Sequence, residues 1–194
     1  MAVADVRIPI RPLTVLDYER MVQAGILGES DRVELLKGQL SEVSPQGTEH
    51  AAILQWLSTQ LMRAIAPDVA GVRIQLPLRL PPCSEPEPDI AVVSPGAYTR
   101  EHPTEAMLVI EISASSRDLD LGAKAEIYAA VGISEYWVVD VAARAIHAHG
   151  SPQGAAYATC RAVTSGTLRS ELRGVPTVDV GELFALLGGD ASPP

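Results

Sequence analysis

Asp89 and Glu111 are two carboxylates whose surroundings ask for chemistry. Asp89 ends the stretch EPEPD and leads into the apolar run IAVV, while Glu111 sits inside LVIEIS, residues 108–113. Burying an unpaired carboxylate costs several kcal/mol, roughly, so Glu111 must be paired, exposed at a strand end, or bound to something positive. Pro88 forces extended geometry just before Asp89 and so presents it at the mouth of the following strand. If the two runs are neighbouring strands, their carboxylates converge, and they repel unless a cation lies between them. Mg²⁺ takes oxygen ligands and keeps several waters, which suits two or three carboxylates; Mn²⁺ can substitute.

Lys124 follows Glu111 across the short linker SASSRDLDLG, with Tyr128 four residues on and therefore on the same helix face. From the first turns of that helix a lysine can lean back over the carboxylates, where it would stabilise charge on a phosphate or orient an attacking water. The plainer alternative is a surface lysine paired with Asp118 or Asp120. The chain has 13 Arg but only two Lys, Lys37 and Lys124, which singles these positions out. Glu34, in RVELLKG, is a further carboxylate within an apolar run; it belongs either to the site or to the polar face of an alternating strand. His50 reads as a helix-start residue or a catalyst. Arg117 is open to a phosphate contact or to a salt bridge with Asp120. The alternating pair His147 and His149 reads as surface-facing on a strand. Cys83 and Cys160 form no metal-spaced cluster and read as structural thiols.

These residues need elements to hold them. TVLDYERMVQA (14–24) predicts a helix capped by Thr14 and closed at Gly25, and 32–44 predicts a hairpin around Lys37-Gly38. Residues 48–66 predict a long helix with Thr48 as N-cap and an apolar stripe through Ala52, Leu54, Leu57, Leu61 and Ile65, stopped by Pro67. Strands are expected over 71–80, 90–94 and 107–113, then a helix over 120–132, strands at 135–140, 143–150 and 157–163, and a closing helix at 178–187. Residues 188–194 read as a flexible tail. The order helix, strand, strand, strand, helix, strand from 48 to 140 predicts an α/β (α+β) sandwich around a mixed sheet, in one domain over 1–194.

Composition narrows the function classes. With 194 residues, 47% apolar and 20% charged, the chain reads as a globular domain. No apolar run approaches the ~20 residues of a membrane span, and the N-terminus does not read as a secretory signal, so a cytoplasmic protein is expected. The formal net charge of −9 argues against a broad basic face for nucleic acid. It does not argue against a nuclease whose positive charge is concentrated locally.

Taken together, RVELLKGQL, His50 opening the long helix, EPDIAVV, LVIEIS and DLGAKAEIYAAVGISEYWVVD resemble the Uma-two family of endonucleases. That family belongs to the PD-(D/E)xK superfamily of restriction-endonuclease-like proteins. The matching stretches stand in the family's order over roughly 12–150, and the helix–strand–strand–strand–helix–strand order is the superfamily's core. The resemblance implies that Asp89 and Glu111 ligate metal, that Lys124 is the catalytic lysine, and that Glu34 is a further acidic member. In the superfamily's general pattern the lysine stands two residues after the glutamate; here that position is Ser113, and Lys124 would be a migrated lysine on the helix.

The expectation is a Mg²⁺-dependent phosphodiesterase acting on DNA, as a homodimer so that both strands can be cut together. Two other readings stand beside it. One is a catalytically inactive protein of the same fold used for binding or assembly, which the acidic charge favours. The other is a metal-dependent hydrolase of a small phosphate ester.

Overall fold

The computed structural model describes residues 9–28 and 30–188, so all but the first residue of the tail expected over 188–194 lies outside the described residues. Helix α1 (Val15–Gln23) starts where Thr14 predicts. The Thr14 hydroxyl accepts from the Asp17 amide while Asp17 reaches back to Thr14, a capping box worth about 1 kcal/mol. Strands β1 (Val33–Leu36) and β2 (Gln39–Glu42) form the expected hairpin. Lys37 and Gly38 both take positive φ, 48° and 78°, as a two-residue hairpin turn of this hand requires. Gly38 is also sterically fixed, because a Cβ there would lie 2.4 Å from Cβ of Pro12. Lys37 reaches across to pair with Glu126, tying the hairpin to the second half of the chain.

Helix α2 (Thr48–Ala64) is capped at Gly47, without a side-chain cap, so Thr48 is its first residue and not its cap. Its buried face is His50, Ile53, Leu57, Ser58 and Leu61. Ile53 thus takes the core position expected for Ala52, and Leu54 packs only partly against the core.

A six-stranded sheet follows, in the order β3 (Gly71–Ile74), β4 (Ile90–Val93), β5 (Leu108–Ser113), β6 (Glu135–Asp140), β7 (Ala145–Gln153) and β8 (Ala156–Val163). All neighbours are antiparallel except β5 and β6, which are parallel. A parallel pair needs a crossover. Here it is α3 (Arg117–Leu119), a π-helical turn at Asp120–Lys124 and α4 (Ala125–Ala130). The helix expected at 120–132 therefore begins three residues earlier and contains a widened turn. β3 is much shorter than the expected 71–80: Gln75 adopts φ 50°, and the chain leaves the sheet before Pro77.

β4, β5 and β6 are buried on both faces, as their unbroken apolar sequences require. Ile90, Val92, Leu108, Ile110 and Ile112 face α2 and the closing helix α5 (Val180–Ala185); Ala91, Val93, Val109 and Val138 face α4 and the hairpin. The result is the expected mixed-sheet α/β sandwich with its α-β-β-β-α-β core. Two short strands, β9 (Thr167–Leu168) and β10 (Val178–Asp179), were not expected; β10 takes the first two residues assigned to the closing helix. Among the described residues no helix is long and apolar enough to cross a membrane.

Candidate active site

The ladder between β4 and β5 runs to Ile90 opposite Ile110, and one step further along this register sets Asp89 beside Glu111. Strand alternation puts both side chains on the sheet face of Val93 and Val109, the face that α4 covers. The Ile112 amide donates to Oδ2 of Asp89 at 2.7 Å, so the aspartate side chain continues the ladder beyond the end of β4. His50 Nε2 lies 3.0 Å from Oδ1 and 3.1 Å from Oδ2, and Gln75 Nε2 donates to Oδ1 at 3.2 Å. Nδ1 of His50 is buried without a partner.

Lys124 completes the cluster from the crossover. Its Nζ lies 3.1 Å from Oε1 of Glu111 and 3.1 Å from Oε1 of Glu34 on β1. Tyr128, one turn along, donates its hydroxyl to the same Glu111 oxygen at 2.8 Å. The widened turn at Asp120–Lys124 puts Asp120, Lys124 and Tyr128 on one side of the crossover. Glu34 is anchored from behind by the Glu87 amide, which donates to its Oε2 at 3.1 Å. Ser113, at the position of the superfamily's usual lysine, is 2% exposed, and Lys124 reaches Glu111 from the crossover instead.

Glu34, Asp89, Glu111, Asp120 and Lys124 are each under 10% exposed. They line one cavity of about 480 Å³ walled by the 43–47 loop, Ala114–Ser116 and Leu119. Burial pushes the Glu111 carboxyl up to about 8; Lys124 opposes this, while Asp120, Asp89 and Glu34 add to it. Burial also works against the Lys124 charge, but Glu111 and Glu34 outweigh it, and the ammonium's pKa is raised. Asp120 is raised by burial against the pull of Lys124. One ammonium is thus shared among several desolvated carboxylates.

All four residues singled out from sequence meet in this cavity. Glu34 proves to be a cavity residue and not simply the polar side of an alternating strand, and Lys124 pairs with Glu111 and Glu34, not with Asp118 or Asp120. Arg117 is corrected as well: its Nε donates to Asp140 at 2.7 Å, and Asp118 lies at 4.0 Å. His147 and His149 are half-buried, not fully outward; the His149 ring lies tilted against Tyr136 and Tyr157. Cys83 and Cys160 are free thiols. Asp120 and Gln75 were missed. Asp120 lay in the sequence only as a salt-bridge partner, and Gln75 carried no signal, since a left-handed glutamine is invisible to spacing.

The donor chemistry suits a hard divalent cation. Glu34, Glu42, Glu87, Asp89, Glu111 and Asp120 line the cavity against Arg32, Lys124 and His50. A cation would relieve that repulsion. Among the described residues, no three His, Cys, Asp or Glu side chains are already gathered as a ready-made metal site, since Lys124 stands between Glu34 and Glu111.

Comparison with known proteins agrees with this architecture. No curated protein matches the chain. Among solved structures, one similar fold is the crystal structure of "a putative nuclease belonging to DUF820 from Anabaena variabilis ATCC 29413". It superposes with a TM-score of 0.73 at 16% identity, over 91% of this chain and 99% of that one. At that identity the likeness is one of fold. The profile of the Uma2 family, described as "Putative restriction endonuclease", matches residues 15–181. Matched over most of its length, the chain belongs to the Uma2 family.

Proposed function

We propose that the protein is a metal-dependent endonuclease that hydrolyses phosphodiester bonds in DNA. The observation that carries this is the convergence of Asp89, Glu111, Glu34 and Lys124 from four separate elements in one cavity, with Lys124 3.1 Å from two carboxylates. Asp89 and Glu111 would hold Mg²⁺ or Mn²⁺, with Glu34 supporting it directly or through water. A divalent metal held there would supply Lewis-acid chemistry, making a water more acidic and polarising the phosphate.

The chain's own residues prepare the rest. The Ile112 amide and the His50 and Gln75 side chains hold the Asp89 carboxylate. The Tyr128 hydroxyl holds Glu111; burial raises its pKa well above the usual value, so it remains a donor. Lys124 stays protonated and offers N–H donors to a phosphate oxygen on which charge develops. Asp89, Glu111 and Lys124 are each under 10% exposed, and burial strengthens each of their interactions. Cutting both strands together needs two such centres, so the active form is proposed to be a homodimer.

The test is plasmid cleavage in Mg²⁺ and in Mn²⁺, alongside calorimetric titration with Mn²⁺, for the wild type and Asp89→Asn. Metal-dependent nicking or linearisation is expected, with metal binding weakened at least a hundredfold in the variant. A second reading, the same fold used for binding without catalysis, is favoured by the excess of carboxylates and by Lys124 already engaging Glu34 and Glu111. Absence of Mn²⁺ binding, or binding equal in Asp89→Asn, would establish that reading instead. Cleavage of nucleotides but not of plasmid or single-stranded DNA would mark a hydrolase of small phosphate esters.

A further inference from the structure

Gln75 is the residue of the cavity that local backbone chemistry explains least. It follows the last residue of β3 and lies opposite Asp89, continuing the register that pairs Ile74 with Ile90. Its φ is 50°, a left-handed conformation that Gly and Asn adopt readily and glutamine does not. The chain then leaves the sheet, and Leu76 is 44% exposed. A turn out of an edge strand would be made with less strain by glycine or asparagine. Strained backbone of this kind persists where the surroundings impose it, and it clusters at functional sites.

Glutamine has what the easier residues lack, which is reach. Its backbone amide donates to the Asp89 carbonyl at 3.1 Å, and its side-chain Nε2 donates to Oδ1 of the same residue at 3.2 Å. Gly has no side-chain donor to offer, Asn is one methylene shorter, and a carboxylate there would repel Asp89. The Ile112 amide and His50 act on the same carboxylate from β5 and α2, so three elements fix a single rotamer.

We infer that Gln75 is a positioning residue whose left-handed backbone and long amide lock the Asp89 carboxylate toward the cavity. The inference rests on reading Asp89 as a metal ligand. A carboxylate held in one rotamer binds a cation without first being ordered, so the effect belongs in metal affinity.

The experiment compares Gln75→Gly and Gln75→Asn with the wild type by thermal melting, calorimetric Mn²⁺ titration, plasmid cleavage and hydrogen exchange at the Ile112 amide. Both variants relieve the strained backbone, so unchanged or higher melting temperatures are expected. Mn²⁺ affinity is expected to fall about tenfold, cleavage at saturating metal to change less, and Ile112 to exchange about tenfold faster. Wild-type affinity together with wild-type Ile112 protection would overturn the inference. So would lower melting temperatures in both variants, which would make the side chain a structural prop. If the wild type binds no Mn²⁺, the metal reading fails, and the Ile112 amide alone decides whether Gln75 holds Asp89.

Discussion

Lys124 and Glu34 meet at 3.1 Å although 90 residues separate them, and Glu111 lies at the same distance from the lysine on its other side. The ammonium lies between two buried carboxylates, within pairing distance of each, so neither can lose it cheaply. Breaking a buried pair by removing one partner is far more costly than the net worth of the pair.

Lys124→Met removes the charge and keeps most of the volume. Cleavage is expected to fall at least a hundredfold. Stability at pH 8 should fall by about 3–5 kcal/mol, because Glu34 and Glu111 are left buried and uncompensated. Urea denaturation at pH 5 and pH 8 checks this. The deficit should shrink at pH 5, where Glu111 is protonated in the folded protein.

Glu34→Gln keeps an acceptor for the Glu87 amide and leaves Lys124 paired with Glu111. Stability should stay within about 1–2 kcal/mol of wild type. Cleavage should fall about tenfold to a hundredfold, with Mn²⁺ affinity less affected than in Asp89→Asn. Equal losses in the two variants would place Glu34 beside Asp89 as a direct ligand.

Glu85 supplies a pH dependence away from the site. Burial pushes its carboxyl from 4.5 up to about 7, helped by Glu19 and Glu87 and opposed by Arg79. Its Oε2 is buried without a partner. The folded state therefore holds a proton that the unfolded state releases between pH 4.5 and 7, and stability falls as pH rises through that window. Glu85→Gln should remove this slope and stabilise the protein at pH 8 by about 1–3 kcal/mol. Chemical denaturation across pH 4.5–8 measures it; a slope unchanged in the variant would assign it elsewhere.

Arg117→Ala separates structure from phosphate binding. Asp140 is 1% exposed; burial alone would raise its pKa, but the Ala143 amide and the Arg117 guanidinium hold it below the usual value. That depressed carboxylate contributes stability above about pH 3.8, lost as pH falls further. The variant should lose about 1–2 kcal/mol at neutral pH, modest because the guanidinium is half exposed, and little in strong acid. Cleavage should be unchanged once the variant is folded. A loss of cleavage at full folding would restore Arg117 as a phosphate contact.

Much of the site was legible because its residues break the pattern of their own segments. Glu111 interrupts an apolar strand, Lys124 is one of two lysines, and Asp89 follows Pro88 at a strand mouth. Glu34 was ambiguous, since alternation alone puts a polar residue at that position. For Arg117 the sequence offered a phosphate or Asp120, because proximity favours a near partner, whereas the parallel β5–β6 pairing brings Asp140 to it.

The sequence by itself determined the core elements, their order and the buried charges Asp89, Glu111 and Lys124, because these depend on periodicity and on short-range chemistry. Only the tertiary structure decided which charges meet. The β4–β5 register sets Asp89 beside Glu111, the hairpin carries Glu34 to Lys124, and a left-handed Gln75 closes on Asp89. Those contacts join residues far apart in the chain, and their geometry follows from sheet register and helix phase, which no local pattern encodes.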